Sequence, residues 1–406
     1  MTAATVLGNL TLGYRLLWNR ARQPAAVELF VDTDPVAHGV DARHLQQALA
    51  ELWPAQAPPL ILAIRHPALL QDMLLHGTAE GPWVRLPHSW LASLQQLRLA
   101  QRAHTRGLRL VWHGAPGQHP DAMEAALAQQ SMLQLDEAQT LQALRAARGL
   151  GTEPSPVQAG VIYEGLASRA LVRHALDQQQ AWAVTGWPAE EVLSVYSDIP
   201  LPPGREAITQ LLQAIDHDAS LEAIEHRIGD EPVLAYRFLC HVNTPPPGRH
   251  GAIESVYRGL MVLGLGPLQA WLRTQLATAG TEADHLPVRR QLVTRARLLE
   301  HLLDAGESEE LRREVHLCGL LAHIDQQLGE PLQTALARLP LSERVLEALL
   351  QHTGPYADAL QLAQRLEGHD TAATRQSIET LEWHAEDVNR ALLRTLGGLL
   401  TPLPRR

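Results

Sequence analysis

The sequence predicts an α/β domain able to close as a barrel, joined to an all-helical domain. Three observations carry that prediction. Over residues 1–195, short β-prone runs alternate with longer helical stretches, the rhythm of a parallel sheet with crossover helices. From about residue 211 onward, apolar residues recur every three or four positions in short segments, each with its own start and stop signals. Between the two, three prolines and a glycine at 197–204 interrupt any periodicity. The expected division is therefore a barrel domain at 1–195, a linker at 196–204 and a helical domain at 205–400.

Composition bounds what such a chain can do. Its 406 residues, 46% hydrophobic and 19% charged, hold ample material for packed cores. The net charge of −10 argues against a nucleic-acid partner. All 34 basic residues are Arg, so no Lys can serve as Schiff base, phosphate ligand or catalytic base. Cys240 and Cys318 sit on apolar helix faces without zinc or CxxC spacing, and are read as buried, reduced thiols. No basic segment precedes an apolar run at the N-terminus, and no stretch approaches eighteen uncharged apolar residues. A soluble, cytoplasmic protein without a membrane partner is expected.

In the first half, strands are expected at 5–17, 60–64, 83–86, 108–112, 132–135, 160–163 and 181–184. Helices are expected between them at 44–52, 91–106, 121–130, 137–147 and 168–176. If these strands close as a barrel, function belongs at their C-terminal ends. The turn at 149–154 lacks the lysine of a phosphate-binding loop.

In the second half, Ser220 caps a helix whose stripe is Leu221, Ile224 and Ile228, and Gly229 closes it. Asp230, Glu231 and Pro232 open the next helix, with Leu234, Phe238 and Val242 on one face. The prolines at 245–247 cannot continue it, because they lack backbone donors. Further stripes follow at Ile253, Val256, Leu260 and Leu263, then at Leu268, Leu272 and Leu276, separated at Gly264. Leu292, Ala296, Leu299 and Leu303 form another stripe ending at Gly306, and Leu317, Leu321, Ile324 and Leu328 another ending at Gly329. Ser342 caps a helix that stops at Gly354, a last periodic segment lies between Ile378 and Leu396, and the tail at 401–406 looks frayed.

The runs SLEAIEHRIGDEPVLAYRFLCHVN and GAIESVYRGLMVLGLGPLQAWL resemble the HDOD signalling domain, through Asp230, Glu231, Pro232, Asn243, Ser255 and Gly264. The resemblance covers roughly 200–370. HDOD domains are relatives of HD phosphohydrolases that generally lack the metal-binding residues, so the family implies signalling, not hydrolysis. Over roughly 1–190 the strands LGYRLLWN, GLRLVWHG, LQLD, GVIYEG and VTGW resemble, in order, those of an EAL domain, the barrel that hydrolyses cyclic diguanylate. The combination is similar to the YuxH-type bacterial signalling proteins, and implies a degenerate EAL-like (β/α) barrel followed by HDOD.

An active EAL site holds two divalent metals on converging oxygen ligands, which activate water for attack on the phosphodiester. The resemblance sets Arg15 where the first-strand glutamate belongs, Asn19 at the following arginine, Arg85 at or near the third-strand glutamate, His113 and Gly114 at the paired aspartates, and Gln134 at the lysine. No Asn stands between Asn19 and Asn243 to supply the second-strand ligand. Asp136 and Glu164 survive, and carboxylates at strand ends more often pair with arginines than ligate metals. Two arginines where anions should converge oppose metal binding. The expectation is an ion pair of Arg15 with Asp136 or Glu164 closing the vestigial site. His113 and His119, a conceivable zinc pair, read as solvated loop histidines.

An HD enzyme shows adjacent His-Asp ligands, where this chain has Ala322 and His323; the upstream histidine is replaced at or near Arg297. His323 and Asp325, two apart on an expected helix, do not face one another. Asn243, beside the proline loop, is expected to satisfy backbone groups. No cofactor and no metal are expected. The reading is a catalytically silent protein that contacts other signalling proteins through its HDOD half, as a possible homodimer, in a cyclic-diguanylate-linked or stress-linked network. The alternative is a non-hydrolytic nucleotide receptor using the barrel mouth.

Overall fold

A computed structural model describes residues 5–33, 41–150, 153–244, 252–304 and 308–399. The prolines at 245–247, Gly306, residues 151–152 of the turn and the tail at 401–406 lie outside the described residues. The chain divides into two compact units, one of Met1–Pro188 with Arg365–Thr401, the other containing Ala189–Gln364.

In the first unit, β1 (Leu10–Trp18), β2 (Pro24–Thr33), β3 (Leu60–Ile64), β4 (Trp83–Pro87), β5 (Leu110–His113), β6 (Gln130–Gln134), β7 (Ile162–Glu164) and β8 (Ala183–Thr185) close in sequence order into one barrel. Parallel neighbours need crossovers, and α1 (Ala42–Leu52), α2 (Pro67–His76), α3 (Leu94–Thr105), α4 (Ala122–Leu127), α5 (Glu137–Ala147) and α6 (Arg169–Arg173) supply them from β2 to β8. β1 runs antiparallel to both its neighbours, β2 and β8. A hairpin turn therefore suffices between β1 and β2. Asn19, expected at a site position, builds that turn: its side-chain oxygen accepts from Ala21 N at 2.9 Å and Gln23 N at 3.1 Å.

The elements that the sequence reading does not name include α2 and β2. β2 carries an acid in mid-run and two alanines, residues depleted in strands. The expected seven strands are thus eight. Side chains alternate along each strand, and one inward layer is Leu17, Ala26, Ile61, Val111, Met132, Ile162 and Ala183, packed with the stacked pair Trp83–Trp182, whose centroids lie 5.8 Å apart. That layer fills the N-terminal end of the parallel strands.

The second unit is helical: α7 (Ala189–Ser194), α8 (Arg205–Asp216), α9 (Leu221–Gly229), α10 (Pro232–Asn243), α11 (Val256–Leu263), α12 (Leu265–Ala277), α13 (His285–Leu302), α14 (Glu309–Leu321), α15 (Ile324–Leu328), α16 (Leu332–Leu336), α17 (Glu343–Leu346) and α18 (Ala357–Leu366). The stripes read from sequence converge in its core, where Ile224, Ile228, Leu234, Phe238, Leu260, Leu268 and Leu272 are buried together. Cys318 is buried and its thiol is pushed up to about 12 by burial, whereas Cys240 is only half-buried, which corrects the expectation for that residue.

The expected linker at 196–204 is not a free tether. Leu201 is fully buried and its N–H donates to Gln327 O at 2.6 Å, while Gly280 N donates to Pro203 O at 2.9 Å. The division between the units falls earlier, at Pro188. The second boundary also changes. α19 (Thr371–Thr380) and α20 (Ala385–Gly397), expected in the helical domain, belong to the barrel unit. β1 follows no crossover helix, so these two helices cover the strand that the β/α alternation leaves bare. Asn389, fully buried on α20, donates to Leu7 O and Leu10 O, each at 2.8 Å. Arg375 on α19 donates to Thr33 O at 2.8 Å. Gly13 permits the close approach: a Cβ there would lie 2.4 Å from Gly368 O. Among the described residues no helix is long and apolar enough to cross a membrane.

Candidate functional site

The barrel mouth follows from strand periodicity. Two residues beyond the inward layer, toward the C-terminal ends of the parallel strands, stand Glu28 after Ala26, Arg85 after Trp83, His113 after Val111, Gln134 after Met132 and Glu164 after Ile162. On antiparallel β1 the same step runs backward, from Leu17 to Arg15. One turn of the pleat thus changes the lining from apolar to charged.

Arg15, Glu28, Arg85, Glu164 and His113 form one network. Glu28 is fully buried and faces Arg15 in strand register. Arg15 donates to Glu28 Oε2 from Nε at 3.1 Å and from Nη2 at 2.6 Å, while Arg85 Nη1 donates to Oε1 at 2.6 Å. The remaining Arg15 nitrogen, Nη1, lies 2.8 Å from Glu164 Oε1, and His113 Nε2 lies 3.0 Å from Glu164 Oε2. Both guanidinium groups also stand over the Phe30 ring, at 5.5 and 5.7 Å from its centroid. Burial works to raise the Glu164 pKa, but the hydrogen bond from His113 and the charge of Arg15 outweigh it and hold the carboxyl at about 2.

Of the expected alternatives, the partner of Arg15 here is Glu164, together with Glu28, and not Asp136. Asp136 instead caps α5: its Oδ1 accepts from Gln139 N at 2.8 Å and its N–H donates back to Gln139 Oε1 at 3.2 Å. Gln134 ends β6, and its carbonyl accepts from Gly117 N at 2.8 Å. His119 meets Gln139, not His113. Glu28 is the residue that sequence reasoning missed. The available signal is a lone acid inside the apolar run Ala25–Val31 whose parity matches inward-facing Ala26.

In the helical unit, the motif residues act on backbone and packing. Glu231 is buried and takes Arg289 Nε at 3.0 Å and Gly204 N at 3.0 Å, with Pro232 opening α10. Asp230 pairs with Arg297 at 2.6 Å, and the same guanidinium reaches His226 Nε2 at 3.0 Å. Asn243 donates to Leu239 O and Ile253 O, each at 2.9 Å, and accepts from Ile253 N at 3.0 Å. Ser255 caps α11, and Gly264 turns between α11 and α12 with φ +78°, a region unfavourable to other residues. Ala322 ends α14 and His323 precedes α15, so His323 and Asp325 do not share a continuous helix as expected. His323 Nε2 instead meets Gln364 Nε2 at 2.8 Å. Among the described residues no three His, Cys, Asp or Glu converge to hold a metal ion.

No family model matches the chain. It is similar to the uncharacterized protein YuxH of Bacillus subtilis, 28% identical over 141 residues, which is 34% of this chain and 34% of that protein. The chain thus spans about a third of the length of that curated relative. Among solved structures, the MmoQ response regulator of Methylococcus capsulatus is similar at 18% identity and a TM-score of 0.41, over 48% of this chain and 98% of that one. BlrP1 of Klebsiella pneumoniae, solved as a manganese/cy-diGMP complex, is similar at 14% identity and a TM-score of 0.30, over 44% of this chain and 55% of that one. The fold class rests on the chain's own topology: a closed eight-stranded α/β barrel followed by an all-helical unit.

Proposed function

We propose that this chain is a catalytically silent signalling protein that works through contacts with other proteins in a cyclic-diguanylate-linked or stress-linked network. The observation that supports silence is the state of the mouth carboxylates. Glu28 is neutralised by Arg15 and Arg85, and Glu164 is paired with Arg15 and hydrogen-bonded to His113. A divalent metal needs hard oxygen ligands free to converge, and two fixed guanidinium groups repel it. The guanidinium of Arg15, bridging two acids, supplies the charge that a metal would otherwise supply. The helical unit, in which Asp230 and Glu231 pair with arginines and Ala322 stands at a ligand position, is the half assigned to partner contact.

The full chain incubated with cyclic diguanylate and Mg²⁺ or Mn²⁺ should release no linear dinucleotide above a metal-free control. Turnover above that control overturns the reading. Calorimetry with the same nucleotide tests the receptor alternative, which predicts saturable binding without cleavage.

A further inference from the structure

The helical unit holds a cleft of about 450 Å³, walled by α10, α12 and the turn from Leu328 to Glu330, with Arg338 at its edge. That volume suits a small organic ligand. Its charge is unbalanced. Arg289, Arg297, Arg313 and Arg338 of this unit each meet a carboxylate, at 3.0, 2.6, 2.9 and 2.6 Å respectively. Arg237, half-buried in the cleft, instead has the neutral Oε1 of Gln275 at 3.3 Å. The acid in the cleft wall, Glu330, has both oxygens taken by Arg338, at 2.6 Å each. Burial works against the charge on Arg237, which an incoming anion would offset. The rest of the wall is largely apolar: Trp271, on which His241 stacks at 5.5 Å, with Leu328 and Pro200.

We propose that this cleft binds a small organic anion, a carboxylate or phosphate monoester on an apolar body, with Arg237 receiving the head group and Trp271 and Leu328 the body. A guanidinium presents paired donors to either head group. The site goes beyond the barrel reading and does not depend on it.

Cys240 lines the cleft and Cys318 is buried, so alkylation of Cys240 in the full chain reports occupancy. The measurement is the rate of Cys240 modification by iodoacetamide, followed by mass spectrometry, with benzoate, phenyl phosphate, benzamide or inorganic phosphate present. Benzoate or phenyl phosphate should slow alkylation about tenfold near ten times its Kd. Benzamide, isosteric and neutral, should not protect, and inorganic phosphate should protect less than its phenyl ester. Arg237→Gln should abolish protection, read as the ratio of the variant's alkylation rates with and without the organic anion. Failure of both organic anions, equal protection by benzamide or by inorganic phosphate, or protection retained in Arg237→Gln overturns the proposal. Should Arg237→Gln fold poorly, the comparison of benzoate with benzamide on the unaltered chain decides the matter alone.

Discussion

At the scale of single residues, Glu28 governs the barrel mouth. It is fully buried between two guanidinium groups, and those groups are buried enough to need it. Removing one member of a buried ion network leaves uncompensated charge, a cost of about 3–5 kcal/mol, less where water reaches the site. Glu28→Gln is expected to lower barrel stability toward the smaller end of that range, as read by urea unfolding; an unchanged midpoint would show that Arg15 and Arg85 do not depend on it. The pH dependence has a definite sign. Glu164 titrates at about 2 in the folded chain against an ordinary 4.5, so its folded pKa is depressed. Its contribution is present above pH 4.5 and is lost as pH falls from there toward 2. The loss amounts to at most about 3 kcal/mol, reduced by solvent at the mouth. Glu164→Gln should remove this part of the acid sensitivity, so a variant whose stability falls with acid as steeply as the parent contradicts the assignment.

At the scale of elements, the helical unit depends on how its helices end. α10 stops at Asn243, whose one amide satisfies Leu239 O at the helix end and both backbone groups of Ile253 ahead of α11. Three backbone partners from one side chain fix the approach of the next helix. Asn243→Ala is expected to cost roughly 1–2 kcal/mol through unpaired polar groups. The check is thermal melting of the helical unit: an unchanged melting temperature with altered partner binding would make Asn243 a contact residue instead.

For the whole molecule, the chain order and the folded units do not coincide. Residues from Arg365 to Leu399 return to the barrel unit, where Asn389 and Arg375 bond the backbone on both strands at the open end of the β1–β2 ribbon, away from its turn. The barrel unit, though all eight strands precede residue 188, is therefore incomplete there. A chain ending at residue 364 should lose the cooperative transition of the barrel. Asn389→Ala should lower that transition by about 1–3 kcal/mol and leave the helical unit's transition in place. Cooperative barrel unfolding in the truncated chain would show that α19 and α20 are dispensable.

Local signals in the sequence determined a good deal. Ser220, Pro232 and Gly264 mark helix ends by backbone chemistry that does not depend on the rest of the chain, and they stand at those ends. Strand-helix alternation likewise announced a parallel α/β sheet able to close as a barrel, because period-two and period-3.6 patterns are local. Arg15 and Glu164 were legible as a pair only after the strand ends were assumed to converge. Tertiary structure alone decided the rest. Glu28 is one acid in an apolar run, with no partner near it in the sequence, until barrel closure brings Arg15 and Arg85 to it from separate strands. Asp136 looks like a site carboxylate until the start of α5 takes it as a cap. The return of α19 and α20 to β1 leaves no mark in their own periodicity, since an amphipathic helix records that one face is buried but not against what.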